Sequence, residues 1–162
     1  KLLLNHLFVI KMKKILASLF LLAIVTISCV STKNTIKNID NSAAIPQLNK
    51  SNAFVLKAIS KNSKYGYDKD YPVNVYYKNS NDENLNAERF INALAGPKGE
   101  IIQFQKLESC CPFPSKQSEL GAGFLDVYQI TYSGLKNPKI LYLNIYERGV
   151  LEAPVGLTIK NP

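Results

Sequence analysis

The sequence predicts an α+β domain, one helix against a mostly antiparallel sheet of five to six strands, placed after a signal segment and a disordered tether. Three observations predict it. Apolar residues recur at helical spacing only once, at Leu85, Ala87, Phe90, Ile91 and Leu94. Short runs rich in Val, Ile, Tyr and Phe fill most of the remainder, with Phe124–Ser133 and Lys139–Glu147 the longest. Ahead of residue 53 there is an apolar stretch and then a polar one, neither with the periodicity of a folded element.

The apolar stretch reads as an export signal. Lys1 is no initiator and Met12 is the only methionine, so the expected start is Met12, with 1–11 as upstream extension. Lys13 and Lys14 then form a basic head before the 13 apolar-rich residues Ile15–Ile27. That length suits a signal core and falls short of the roughly 20 residues that span a bilayer. Thr26-Ile27-Ser28-Cys29 resembles a lipobox, with Thr26 where an aliphatic residue is usual. Cys29 is thus the expected lipidation site, and its acyl chains would hold the protein to a lipid bilayer. An ordinary cleaved signal and an uncleaved anchor are the competing readings. Against the anchor, Asn5, His6, Lys11, Lys13 and Lys14 interrupt the longer run from Leu2 to Ile27, and buried charge is costly.

The expected organisation is therefore 1–28 as extension and signal peptide, 29–52 as lipidated N-terminus and flexible tether, and 53–162 as one globular domain. Residues 30–52 are rich in Ser, Thr, Asn and Lys, and a flexible coil of that length spans about 25 Å. No acidic cluster follows Cys29, which favours the periplasmic side of the envelope over the surface.

Removing residues 1–28 leaves 16 basic and 12 acidic residues, lowering the net charge from +8 to +4. The lysines are scattered, which argues against a nucleic-acid surface. The only histidine, His6, also lies upstream of Cys29. A Ser-His-Asp triad, a Cys-His dyad or an imidazole metal site is then unbuildable downstream of it, and no cofactor, metal or catalytic residue is assigned.

Within the domain, Ala53–Ser60 reads as a short strand and Pro72–Lys78 as a half-buried one with Val73, Val75 and Tyr77 on one face. Asn81 or Asp82 is placed to cap the helix, and Gly96-Pro97 to end it. Glu100–Leu107 is a strand, and Pro154–Lys160 suggests an edge strand. Gly134–Pro138 joins the two longest strands as a hairpin. Pairing Tyr132 with Ile140 puts Leu125, Val127, Leu141, Leu143 and Ile145 on one face. Tyr128, Tyr132, Tyr142 and Tyr146 then share the other, a candidate platform for a glycan or an envelope protein. A slip of one residue exchanges the faces.

Cys110 and Cys111 are the sharpest local feature, set in an expected loop, Ser109–Pro114. An oxidising compartment favours a vicinal disulfide, although adjacent Cα atoms lie about 3.8 Å apart, closer than in most bridges. Two readings compete: a stiff structural loop, or a redox or metal-responsive thiol pair. The acidic pairs Asp68/Asp70, Asp82/Glu83 and Glu108/Glu119 have no spacing that sets two carboxyls across a cleft. Asp126 interrupts an apolar strand and is expected to pair with Arg148 or Lys139. Gly121-Ala122-Gly123 precedes a strand, so it reads as a turn and not a phosphate loop.

Several strings together resemble a family of small Bacteroidota lipoproteins: Ala87–Leu94 with Gly96-Pro97, Ser109-Cys110-Cys111-Pro112-Phe113, Gly123–Tyr128, Tyr132–Lys136 and Ala153–Gly156. The resemblance covers residues 63–159, and the Cys-Cys-Pro string is its most specific mark. It implies an anchored envelope protein and carries over no catalytic residue. Members are sometimes labelled 2-dehydro-3-deoxyphosphooctonate aldolase. That enzyme is a (β/α)₈ barrel, for which about 250 residues are typical, against a domain here of about 110.

Overall fold

The computed structural model describes residues 34–76 and 84–160. Met12, Cys29, Tyr77, Asn81 and Asp82, to which the sequence assigns roles, lie outside the described residues. The described chain is mainly sheet with one helix: β1 (Val73–Asn74), α1 (Leu85–Ile91), β2 (Leu94–Ala95), β3 (Gln103–Pro114), β4 (Ala122–Thr131), β5 (Lys139–Asn144) and β6 (Thr158–Ile159). The strands do not form the single expected sheet of five to six: four make one in the order β1-β5-β4-β3, and β2 pairs with β6 in a second. The larger sheet is mixed, because β1 runs parallel to β5 while β5, β4 and β3 alternate. Neither sheet approaches the (β/α)₈ barrel of the aldolase label.

The apolar stripe of α1 does what its spacing predicts. Ala87, Phe90 and Ile91 are fully buried and meet Val73, Tyr128, Ile130, Leu141 and Leu143 on one face of the sheet. Each large apolar side chain buried there stabilises by roughly 1.5–3 kcal/mol. The helix stops at Ile91, before Gly96-Pro97, because Leu94 and Ala95 leave it to pair with Ile159 and Thr158. Asn84 holds the N-cap position, and its Oδ1 accepts from Lys106 Nζ at 2.9 Å in place of a cap bond.

Four further expectations need correction. Ala53–Ser60 makes only isolated bridges, Leu48 to Phe54 and Ile59 to Ala153, and not a ladder. The cysteines sit inside β3, not in a loop, since that strand continues from Gln103 to Pro114. β3 is the sheet edge, where Pro112 and Pro114 leave no ladder bond unmade on the outer side.

The β4–β5 register is the third correction. Ile130 pairs with Lys139 and Gln129 with Ile140, a shift of three residues from pairing Tyr132 with Ile140. An odd shift turns β5 over relative to β4. Tyr128 now shares its face with Leu141 and Leu143, while Tyr142 lies opposite Val127 on the other. The four tyrosines therefore form no single platform.

The fourth concerns the tether, which from residue 34 onward packs on the sheet instead of hanging free. Ile36 and Ala43 are buried, and Lys37 N donates to Asp70 O at 2.8 Å. Asn38 Nδ2 donates to Pro72 O at 2.7 Å, and Asn74 Nδ2 returns a bond to Asn38 O at 2.8 Å. Asp40 N donates to Arg148 O at 2.8 Å, so backbone and amide bonds fasten a segment with little apolar surface.

Candidate functional site

The two sheet faces carry different chemistry. On the helix side, the inward position of Asp126 puts a carboxylate into an apolar layer, with the residue only 2% exposed. Its Oδ1 accepts from Ser109 Oγ at 2.7 Å, and its Oδ2 faces Lys106 Nζ at 2.9 Å as an ion pair off hydrogen-bond alignment. The partner is thus Lys106, across the β3–β4 ladder, and neither Arg148 nor Lys139 as expected. Both carboxylate oxygens are engaged, and the cluster reads as a structural tie.

β3 twice breaks register with β4, between Lys106 and Glu108 and between Cys110 and Phe113. The second break is a bulge that leaves Cys111 and Pro112 unpaired. Cys110 and Cys111 are joined there as a vicinal disulfide, their Cα atoms 3.8 Å apart. Cys111 has φ 58°, a left-handed conformation uncommon outside glycine. Bulges re-aim side chains, and backbone held this way is a common mark of functional sites.

Around the bridge is a small second core. Ile36, Phe113 and Leu125 are buried in it, with Cys110, Cys111, Ile39, Tyr142 and Tyr146 packed against them. Phe113 and Tyr146 meet edge to face, with ring centroids 6.2 Å apart and planes at 76°. The structure thus brings together Cys110, Cys111, Tyr142 and Tyr146. It separates them from Tyr128, which is 2% exposed in the main core, and from Tyr132, which packs at the edge of that core.

A cavity of about 280 Å³ opens beside the bridge, lined by Thr35, Ile36, Lys69, Cys111, Pro112 and Leu125. Lys69 brings a cation to its rim. Its hydrogen bond to Asp70, at 2.8 Å, raises its pKa and holds it protonated, so it is no general base. The site presents a sulfur-rich apolar wall, a proline and one positive charge, suited to contact more than to proton transfer.

A second cavity, of about 490 Å³, is lined by Asn34, Ile39 and Asn41 of the same segment. The buried carboxylate of Glu147 lines it, accepting from Ser115 Oγ at 2.6 Å and Asn41 Nδ2 at 2.8 Å. Sequence reasoning assigned nothing to these three residues. They are far apart in the chain and form no motif, and only the docking of residues 34–43 brings them together. Among the described residues, no group of three or more His, Cys, Asp or Glu side chains is arranged to hold a metal ion. Nor is any described helix long and apolar enough to cross a membrane. Comparison with protein families, with curated proteins and with solved structures finds no match.

Proposed function

We propose that this chain is an envelope lipoprotein, anchored through acyl chains on Cys29, whose domain is a non-enzymatic binding or structural module on the periplasmic side. The observation that carries the binding reading is the cluster in which Cys110, Cys111, Tyr142 and Tyr146 meet beside an open cavity. A vicinal bridge and a proline make a wall with few rotatable bonds, so contact there costs little conformational entropy. An envelope protein or a glycan is the partner such a wall suits. The bridge also fits an oxidising compartment, and the lipobox-like Thr26–Cys29 string supports the anchor.

Site-specific photo-crosslinking in intact envelopes tests the module. A crosslinker at Pro112 is expected to trap a discrete partner that one at Ile101 does not. Identical products from both positions would remove the cystine wall as a binding surface.

One observation favours a second reading, a thiol-redox lipoprotein. Both cysteines are only half-buried, and Cys111 shares its cavity with the Lys69 cation. Intact mass before and after mild reductant and alkylation separates the two. Ready, reversible uptake of two alkyl groups supports redox chemistry. A bridge that resists reduction, with an unchanged phenotype for Cys110→Ser/Cys111→Ser, would end it.

A further inference from the structure

We propose that the β3–β4 hairpin tip is a membrane-contact surface, with Leu120 entering the headgroup layer of the bilayer that holds the anchor. The proposal rests on the lipid-anchor reading of Cys29 and adds a fixed orientation to it. A long flexible tether would let the domain tumble at a distance. The structure leaves much less chain for one, because the segment is already fastened to the sheet at Ile36, Lys37 and Asn38.

Five Cα–Cα steps separate Cys29 from Asn34, a reach of about 18 Å at most. Asn34 can therefore lie no more than about 18 Å from the acylated residue, roughly two to four times the depth of the headgroup layer, about 5–8 Å on each side of the hydrocarbon. What flanks Asn34 is the hairpin connection, for Asn34 lines one cavity with Pro114, Ser115, Lys116, Gln117 and Gly121. That connection is a built turn. Ser115 N donates to Gly121 O at 3.1 Å, Gly121 N donates to Ser118 O at 3.0 Å, and Gly121 has φ 70°.

In this turn, just before Gly121, Leu120 is 89% exposed, the most exposed large apolar residue described. A lone exposed leucine is ordinary on a protein surface. This one projects from the end of the sheet where the anchored chain enters. Tethering raises its effective concentration at the bilayer, so a weak contact becomes populated. Charge on this rim is slightly positive: Lys116 is set against Glu119 in the same turn and Lys69 against Asp70, while Lys37, whose backbone N–H donates to Asp70 O, adds a further cation. The contact is accordingly apolar and positional in the main, with a small added preference for anionic lipid.

Because the chain contains no tryptophan, Leu120→Trp and Ile101→Trp are each single-tryptophan proteins. Ile101 is 76% exposed and lies at the opposite end of the β3–β4 ladder, so it serves as the control. The acylated full-length products are reconstituted into phosphatidylcholine vesicles containing brominated lipid. Leu120→Trp is expected to shift to the blue and lose about half its emission or more, given tryptophan's preference for interfaces, while Ile101→Trp is unchanged. Replacing part of the phosphatidylcholine by phosphatidylglycerol should leave Ile101→Trp as it is and deepen the quenching of Leu120→Trp only slightly.

Leu120→Trp combined with Cys29→Ser should stay unquenched, which separates tethered contact from the tryptophan's own affinity. Intact mass on the same preparations reports the anchor independently. Acylated Cys29 with unquenched Leu120→Trp, or equal quenching at both positions, overturns the orientation and leaves the anchor standing. An unmodified Cys29 with no vesicle association removes both.

Discussion

Adding one methyl group at Gly123 should disturb the cystine-side core specifically. Gly123 pairs with Phe113 across the ladder, immediately beyond the bulge at Cys111 and Pro112. A Cβ there would lie 2.7 Å from Tyr146 Cδ2, 2.8 Å from Phe113 Cζ and 2.9 Å from Tyr146 Cγ. Carbon atoms pack best at about 3.5–4.0 Å, so each contact is short by well over half an ångström. The obstacles are ring atoms locked edge to face, not the free ends of flexible chains.

Overpacking of this kind costs roughly 1–3 kcal/mol. Gly123 is not at positive φ, so alanine recovers about 0.5–1 kcal/mol by restricting the unfolded chain. The net expectation for Gly123→Ala is a loss of about 1–2 kcal/mol, or about 3–12 °C in Tm for a domain of this size. Urea denaturation followed by tyrosine fluorescence measures it. The cycle with Phe113→Leu should recover about 1 kcal/mol, because the shorter side chain removes the Phe113 contact and opens space into which the Tyr146 ring can shift. A neutral or stabilising Gly123→Ala, or additive effects in the cycle, would refute this packing of the second core.

Burial raises the Tyr67 phenol to about 12, with Tyr132 adding to the effect. A raised folded pKa gives stability that is intact below the unfolded value of about 10 and lost as pH climbs through the folded one. Titration at 295 nm should show a late component near pH 12 that Tyr67→Phe abolishes; unchanged curves would contradict the burial. Asn74→Ala removes the bond to Asn38 O and strands the buried Asn144 Nδ2, which now donates to Asn74 Oδ1 at 2.8 Å. It should cost about 1–3 kcal/mol and expose the Lys37–Asn38 bond to trypsin, while unaltered digestion would mean the segment is held otherwise. Cys110→Ser/Cys111→Ser opens the smallest loop a bridge can close, so the expected stability change is about 1 kcal/mol. A loss above about 3 kcal/mol, within the usual range for removing a structural staple, would contradict it.

Elements with strong local signals were legible in the sequence, and relations between distant segments were not. The stripe Ala87, Phe90 and Ile91 specified a helix and its buried face. Alternation in β4 and β5 specified two antiparallel neighbours. Register was another matter, because seven residues, 132–138, separate the paired strands, and nothing in them fixes where the ladder ends. One odd shift then split the tyrosines between two faces.

The bulge at Cys111 was illegible for a similar reason. Prolines at 112 and 114 suggest a loop, yet an edge strand accepts them without losing ladder bonds. Residues 34–43 look like a coil because they dock through asparagine amides and backbone groups, which leave no hydrophobic period. Glu147, Ser115 and Asn41 come together only once that docking has occurred.

The proposed lipid anchor at Cys29 underlies both the proposed location and the proposed orientation of the domain. Its decisive test is the intact mass and N-terminal peptide of the protein recovered from bacterial membranes. The expected product is a mature chain beginning at Cys29, carrying acyl chains that are lost in Cys29→Ser. A chain that begins elsewhere, or an unmodified Cys29 in membrane-bound protein, would contradict it.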